Sequence, residues 1–186
     1  MDGSCGPGSP VNSFSVVAYL PEPLGGFLDQ IRRDLVPGCV ARTHITVLPP
    51  RPLACPWPDA WDELRQRVQG FAPFRVSLGD VRVFDGSNVL YLSTASRRSE
   101  LEQLNALTNT GRLQCISSFR YQPHITLAQG LAVDKLADGR RYAEVAWDAY
   151  TGARYFQLED LALVQNTTED RWIDLASLTL ASPVSA

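Results

Sequence analysis

A chain of 186 residues that is 45% hydrophobic and 20% charged can bury a sizeable core, as one large domain or two small lobes. Its net charge of −3 argues against a long footprint on duplex DNA or RNA, while leaving room for a local site for one phosphate. No apolar run is long enough to span a membrane. Cys5, Cys39, Cys55 and Cys115 form no Cys-x-x-Cys pair, so free thiols are expected rather than disulfides or a zinc site.

In chain order, residues 1–12 read as a flexible, Gly/Ser/Pro-rich leader without the charged-then-apolar pattern of a signal peptide, which sets the cytoplasm as the expected location. Ser13–Leu20 reads as a strand, stopped by Pro21 and Pro23. Leu24, Phe27, Leu28, Ile31 and Leu35 have helical spacing, and Pro37-Gly38 ends that helix. A β-branched run from Thr43 to Leu48 follows, then a proline-rich loop over 51–58. Asp59 is the expected N-cap of a helix from Ala60 to about Gln69. Phe74–Phe84 reads as one or two strands bent at Gly79-Asp80. Asp85-Gly86 turns the chain into a strand over Asn88–Thr94. A helix is expected over Ser99–Leu107, a strand over His124–Ala128 and a polar helix over Val133–Ala146. Ala153–Val164 and Trp172–Leu180 close the chain as two strands around a turn at Asn166–Asp170. The closing pairs suggest hairpins, so the expected class is α+β with mostly antiparallel sheets.

Strand–helix–strand thus occurs once in each half, and each copy ends in the same motif: His44-Ile45-Thr46-Val47 and His124-Ile125-Thr126-Leu127. These are the only two histidines, 80 residues apart. In a strand, alternation puts His44 with Thr46, and His124 with Thr126, on one face, and the aliphatic residues on the other. The duplication predicts two lobes over residues 13–186. If they face each other, two imidazoles and two hydroxyls surround one point. One neutral and one protonated imidazole can run acid–base chemistry at phosphorus, with the hydroxyls on the phosphate oxygens.

The paired motifs, with Tyr121-Gln122-Pro123-His124-Ile125-Thr126-Leu127-Ala128 as the second, resemble the 2H phosphoesterase superfamily, in particular its 2′-5′ RNA ligase-like and cyclic phosphodiesterase members. The resemblance covers about Ser13 to Leu180. It implies a bilobal fold of two pseudo-twofold-related, mostly antiparallel sheets flanked by helices, with a cleft between them. It implies cleavage of nucleotide or RNA-end 2′,3′-cyclic phosphates, commonly to the 2′-phosphate, without metal or other cofactor. His44 and His124 would be the acid–base pair, and Thr46 and Thr126 the phosphate ligands. The expected partner is a small nucleotide or RNA end, not duplex DNA or a membrane, and the expected state is a monomer.

Arg42, Arg51 and Arg120 lie close enough in sequence to assist a phosphate, although solvated arginine is the plainer reading of each. Tyr19, Tyr121 and Trp172 could stack on a base, although packing is the plainer reading. The motifs do not choose among a 2′,3′-cyclic phosphate, a 2′-5′ linkage, a cyclic oligonucleotide and an ADP-ribose cyclic phosphate. A binding module without turnover is a further reading, disfavoured because pure binding needs no second titratable group.

Overall fold

The computed structural model describes residues 8–40, 42–117 and 119–182. Its strands are β1 (Pro10–Tyr19), β2 (His44–Arg51), β3 (Phe74–Val83), β4 (Leu90–Thr94), β5 (His124–Ala128), β6 (Tyr155–Leu158), β7 (Asp160–Thr167) and β8 (Trp172–Thr179). The helices are α1 (Leu24–Leu35), α2 (Trp57–Arg67), α3 (Arg98–Thr108) and α4 (Val133–Ala149), with a short 3-10 turn at Gly111–Leu113. The fold is α+β. Two antiparallel four-stranded sheets have the orders β2-β1-β7-β8 and β5-β4-β3-β6. In both, a strand–helix–strand unit (β1-α1-β2 and β4-α3-β5) puts a His-Ile-Thr strand at the sheet edge, and β2 lies against β5.

Alternation decides which face of each edge strand is buried. Ile45, Val47 and Ile125 are fully buried and Leu127 nearly so, while His44, Thr46, His124 and Thr126 are half-buried on the opposite face. The aliphatic faces of both sheets join the apolar stripes of all four helices in one continuous core. Its fully buried members include Leu28 of α1, Leu64 of α2, and Leu101 and Leu104 of α3. On the histidine side of the first sheet, Val17, Ala162 and Val164 form a separate small apolar patch with Tyr19 and Trp172.

Several sequence boundaries shift. Residues 10–12, read as leader, begin β1, where Pro10 pairs with Thr167; residues 1–7 lie outside the described residues. The first motif strand runs on through Pro49-Pro50 to Arg51, which an edge strand tolerates because one side of its backbone needs no ladder partner. The second helix starts at Trp57, with a proline at its first positions, and Asp59 sits in the first turn rather than capping it. Phe74–Val83 is one strand. Its register with β4 shifts between Leu78 and Val81, and a Cβ on Gly79 would lie 2.6 Å from Ser93 Oγ. The largest correction is at Ala153–Val164, expected as one strand. It breaks at Glu159 and changes sheets: β6 pairs with β3, β7 with β1 and β8. Both pieces are apolar and strand-prone, so local propensity carries no mark of the switch.

Arg51 is buried, 6% exposed, at the far end of β2. Its guanidinium donates to Pro49 O at 2.9 Å, Leu113 O at 2.6 Å and Asn109 Oδ1, tying β2 to the connection before β5. Arg51→Met is expected to lower stability by about 2–4 kcal/mol, because it removes three hydrogen bonds at once and takes the donor from the buried Leu113 O. Urea unfolding checks this, and an unchanged midpoint would contradict the structural role.

Candidate active site

Each histidine is held in the same way. His44 Nδ1 donates to Arg42 O at 2.7 Å, and His124 Nδ1 donates to Gln122 O at 2.7 Å. A backbone carbonyl only accepts, so both Nδ1 atoms carry the proton and both neutral rings keep the lone pair on Nε2. The two halves therefore present equivalent Nε2 atoms on the face shared with Thr46 and Thr126.

The packing around the rings differs. His44 meets the edge of Tyr19 at 6.2 Å between ring centres, and the Tyr19 hydroxyl donates to Asp174 on β8. Arg42 lies 3.9 Å over the Tyr19 ring and 3.7 Å from Asp174, so its guanidinium is engaged on that flank. His124 stands edge-on to Phe84 at 4.8 Å and to Tyr91 at 5.5 Å, and these two rings stack at 4.0 Å. The Gln122 side chain donates to the Tyr91 hydroxyl at 3.1 Å.

The edge strands are also cross-tied. Arg32 of α1, 8% exposed, donates to Thr126 O on β5 and lies 3.7 Å from Cys39 Sγ. Reciprocally, the Tyr121 hydroxyl, just before β5, donates to Thr46 O on β2 at 2.8 Å. Asn105 of α3 donates to Val47 O at 2.7 Å. Each half thus satisfies outward-facing carbonyls of the other half's motif strand.

Electrostatics favour neutral imidazoles. Burial lowers the pKa of both histidines below the ordinary histidine value. For His44 the hydrogen bond to Arg42 O and the Asp29 carboxylate oppose this, while the Arg32 and His124 charges add to it. For His124 only the Gln122 carbonyl is opposed to burial. Asp29 is itself held by the Thr43 N–H and hydroxyl, both at 2.6 Å. Among the described residues no group of three or more His, Cys, Asp or Glu side chains could hold a metal ion.

The structure sets β2 and β5, the strands that carry the four motif residues, against each other. Of the other candidates, Tyr19, Arg42 and Tyr121 frame the site, the last by pinning Thr46 rather than by offering its face. Arg51 is structural. Arg120 is exposed and pairs with Glu102 at 3.5 Å. Trp172 packs on the Val17 patch. Sequence reasoning missed Arg32, Phe84 and Tyr91. Arg32 had a signal: it follows Leu28 by four residues and so lies on the buried stripe of α1, where a cation needs a reason.

Two histidines and two threonines on strands that lie against each other make a candidate site of the two-histidine kind. The profile of the 2′-5′ RNA ligase superfamily matches residues 20–170. Two staphylococcal proteins, each named Putative phosphoesterase, are similar in sequence. The one from Staphylococcus haemolyticus is 27% identical over 121 residues, covering 64% of this chain and 69% of its own. The one from Staphylococcus epidermidis is 30% identical over 122 residues, with the same coverage. The E. coli LigT crystal structure in apo form superposes with a TM-score of 0.65 at 18% identity, over 92% of this chain and 98% of that one. LigT complexed with 3′-AMP gives 0.65 at 17% identity, over 92% and 99%. The chain belongs to the 2′-5′ RNA ligase superfamily, within the 2H phosphoesterases. No helix among the described residues is long and apolar enough to cross a membrane.

Proposed function

We propose that this protein is a phosphodiesterase that opens 2′,3′-cyclic phosphates of nucleotides or RNA ends without a metal ion, and that residues 13–186 act as one two-lobed unit. The observation that carries the reading is the matched pair of Nδ1-to-carbonyl bonds, which leaves two Nε2 atoms on one face for proton transfer. The 3′-AMP and ATP complexes of E. coli LigT support a nucleotide ligand.

In this reading Thr46 and Thr126 donate to the non-bridging oxygens of the phosphate. His44 is the base: its Nε2 takes a proton from water as the oxygen attacks phosphorus in line with O3′. His124 is the acid: its Nε2 proton passes to O3′ as the P–O3′ bond breaks, leaving the 2′-phosphate. The Arg32 charge falls on His44 rather than His124 among the causes of their shifts, and so supports His44 as the base.

The test is an assay of the nucleoside 2′,3′-cyclic phosphates with and without EDTA, followed by phosphorus NMR. Turnover that survives EDTA and yields the 2′-phosphate is expected. A metal requirement, or binding without turnover, would overturn the reading, and the 3′-phosphate would overturn the assignment of the leaving oxygen.

A further inference from the structure

The two halves of the site are alike at the histidines and different beside them. In the first sheet, the row across from Thr46 runs to Val17 and then Ala162, which is small and apolar. In the second, the row across from Thr126 runs to Tyr91 and then Arg82. Residues directly opposite in antiparallel strands project from the same face, so Arg82 shares the face of Thr126. It lies about 10 Å away, two strand spacings.

A cavity of about 600 Å³ opens there, lined by Arg82, Phe84, Asp85, Tyr91, Gln122 and Arg140 among others. Phe84 and Tyr91 are the rings that hold His124, and Gln122 bonds both His124 and Tyr91. The cavity and the site therefore share a wall. Its two cations have partners: Arg82 lies 3.5 Å from Asp80, and Arg140 bonds Glu144 at 2.7 Å. Both pairs are exposed, so each holds its guanidinium weakly. A guanidinium also has five N–H donors, more than one carboxylate uses. The half-buried Phe84 ring, backed by the buried Tyr91, suits contact with a nucleoside body, and the two guanidiniums suit an anion beyond it. Asp85 on the rim favours a ligand that brings donors as well as charge.

We propose that Arg82 and Arg140 form a subsite for a second phosphate of the substrate, carried on the 5′ oxygen of the nucleoside whose 2′,3′-cyclic phosphate sits between the histidines. This deepens, and rests on, the reading of the site given above. It makes a nucleoside cyclic phosphate that also carries a phosphate on its 5′ oxygen, as the 3′-terminal residue of an oligonucleotide does, a better substrate than a bare nucleoside cyclic phosphate.

The experiment compares adenosine 2′,3′-cyclic phosphate with the same compound bearing a 5′-phosphate, in the wild type and in R82A/R140A. The wild type is expected to favour the 5′-phosphorylated substrate about tenfold, through KM, and the double variant to lose that preference. Equal KM values in the wild type, or an equal loss on both substrates in the variant, would overturn the subsite. Calorimetry with 3′-AMP and adenosine 3′,5′-bisphosphate separates this from the catalytic reading. If neither cyclic phosphate is turned over but the bisphosphate binds about tenfold tighter and R82A/R140A abolishes the difference, the subsite stands and the catalytic reading falls. Equal affinities for the two would sink the subsite whatever the turnover.

Discussion

His44→Gln and His124→Gln are each expected to lower kcat by about 10²- to 10⁴-fold, the range one positioned acid or base supplies. Glutamine fills most of the imidazole volume and can still donate to the carbonyl, so KM should change far less than kcat. The double variant should lose little beyond either single one, because the two groups move protons in one step. Initial rates on a 2′,3′-cyclic phosphate check this, and near-wild-type turnover in either single variant would remove the acid–base pair. The pH profile follows from the same geometry. The base must be neutral and the acid protonated. Burial moves both histidines downward from 6.5, so the maximum of kcat/KM for the free enzyme is expected below that value. Stability should follow the same direction. A folded state that binds protons less readily than the unfolded chain loses stability as pH falls from 6.5 through the lowered values. A rate profile that rises steadily to alkaline pH would contradict this account of the site.

Arg32→Met is expected to act on stability and on the site together. The substitution keeps much of the side-chain volume in α1 but removes the donor to Thr126 O and the cation that acts on His44. Leaving that carbonyl unsatisfied should cost about 1–3 kcal/mol in chemical denaturation. Loss of the charge should also raise the His44 pKa, so the acid limb of kcat/KM moves to higher pH. Arg32→Lys keeps a cation without the fork. It is expected to restore the limb while recovering only part of the stability. A limb that stays in place in Arg32→Met, at whatever stability, would show that Arg32 ties the lobes without tuning the base.

Much of the candidate site's local geometry was legible in the sequence, because a strand's period of two acts locally. His44 with Thr46, and His124 with Thr126, had to share a face, and Ile45 and Ile125 had to be buried behind them. The duplicated order of elements was legible for the same reason. What escaped depends on partners distant in sequence. Arg51 read as a phosphate candidate or a surface charge. It proves buried because the connection around Asn109 and Leu113 folds over it. Tyr121 read as packing rather than stacking, and it does pack on the core, but nothing local told that its hydroxyl finds Thr46 O some 75 residues away. The break at Glu159 follows from two sheets competing for one apolar run, with β3 taking the first part and β1 and β8 the second.

The sequence by itself therefore determined the class of fold, the two motif strands and the residue types that share the histidine face, since each follows from side-chain alternation and apolar spacing within a few residues. Only the tertiary structure decided how the two motifs meet: β2 and β5 as facing edges, the Arg32 and Tyr121 cross-ties, and the cationic row beside His124 against the apolar one beside His44. Those arrangements rest on hydrogen bonds and charges between segments far apart in the chain, and no local pattern encodes which distant carbonyl a buried arginine or tyrosine will reach.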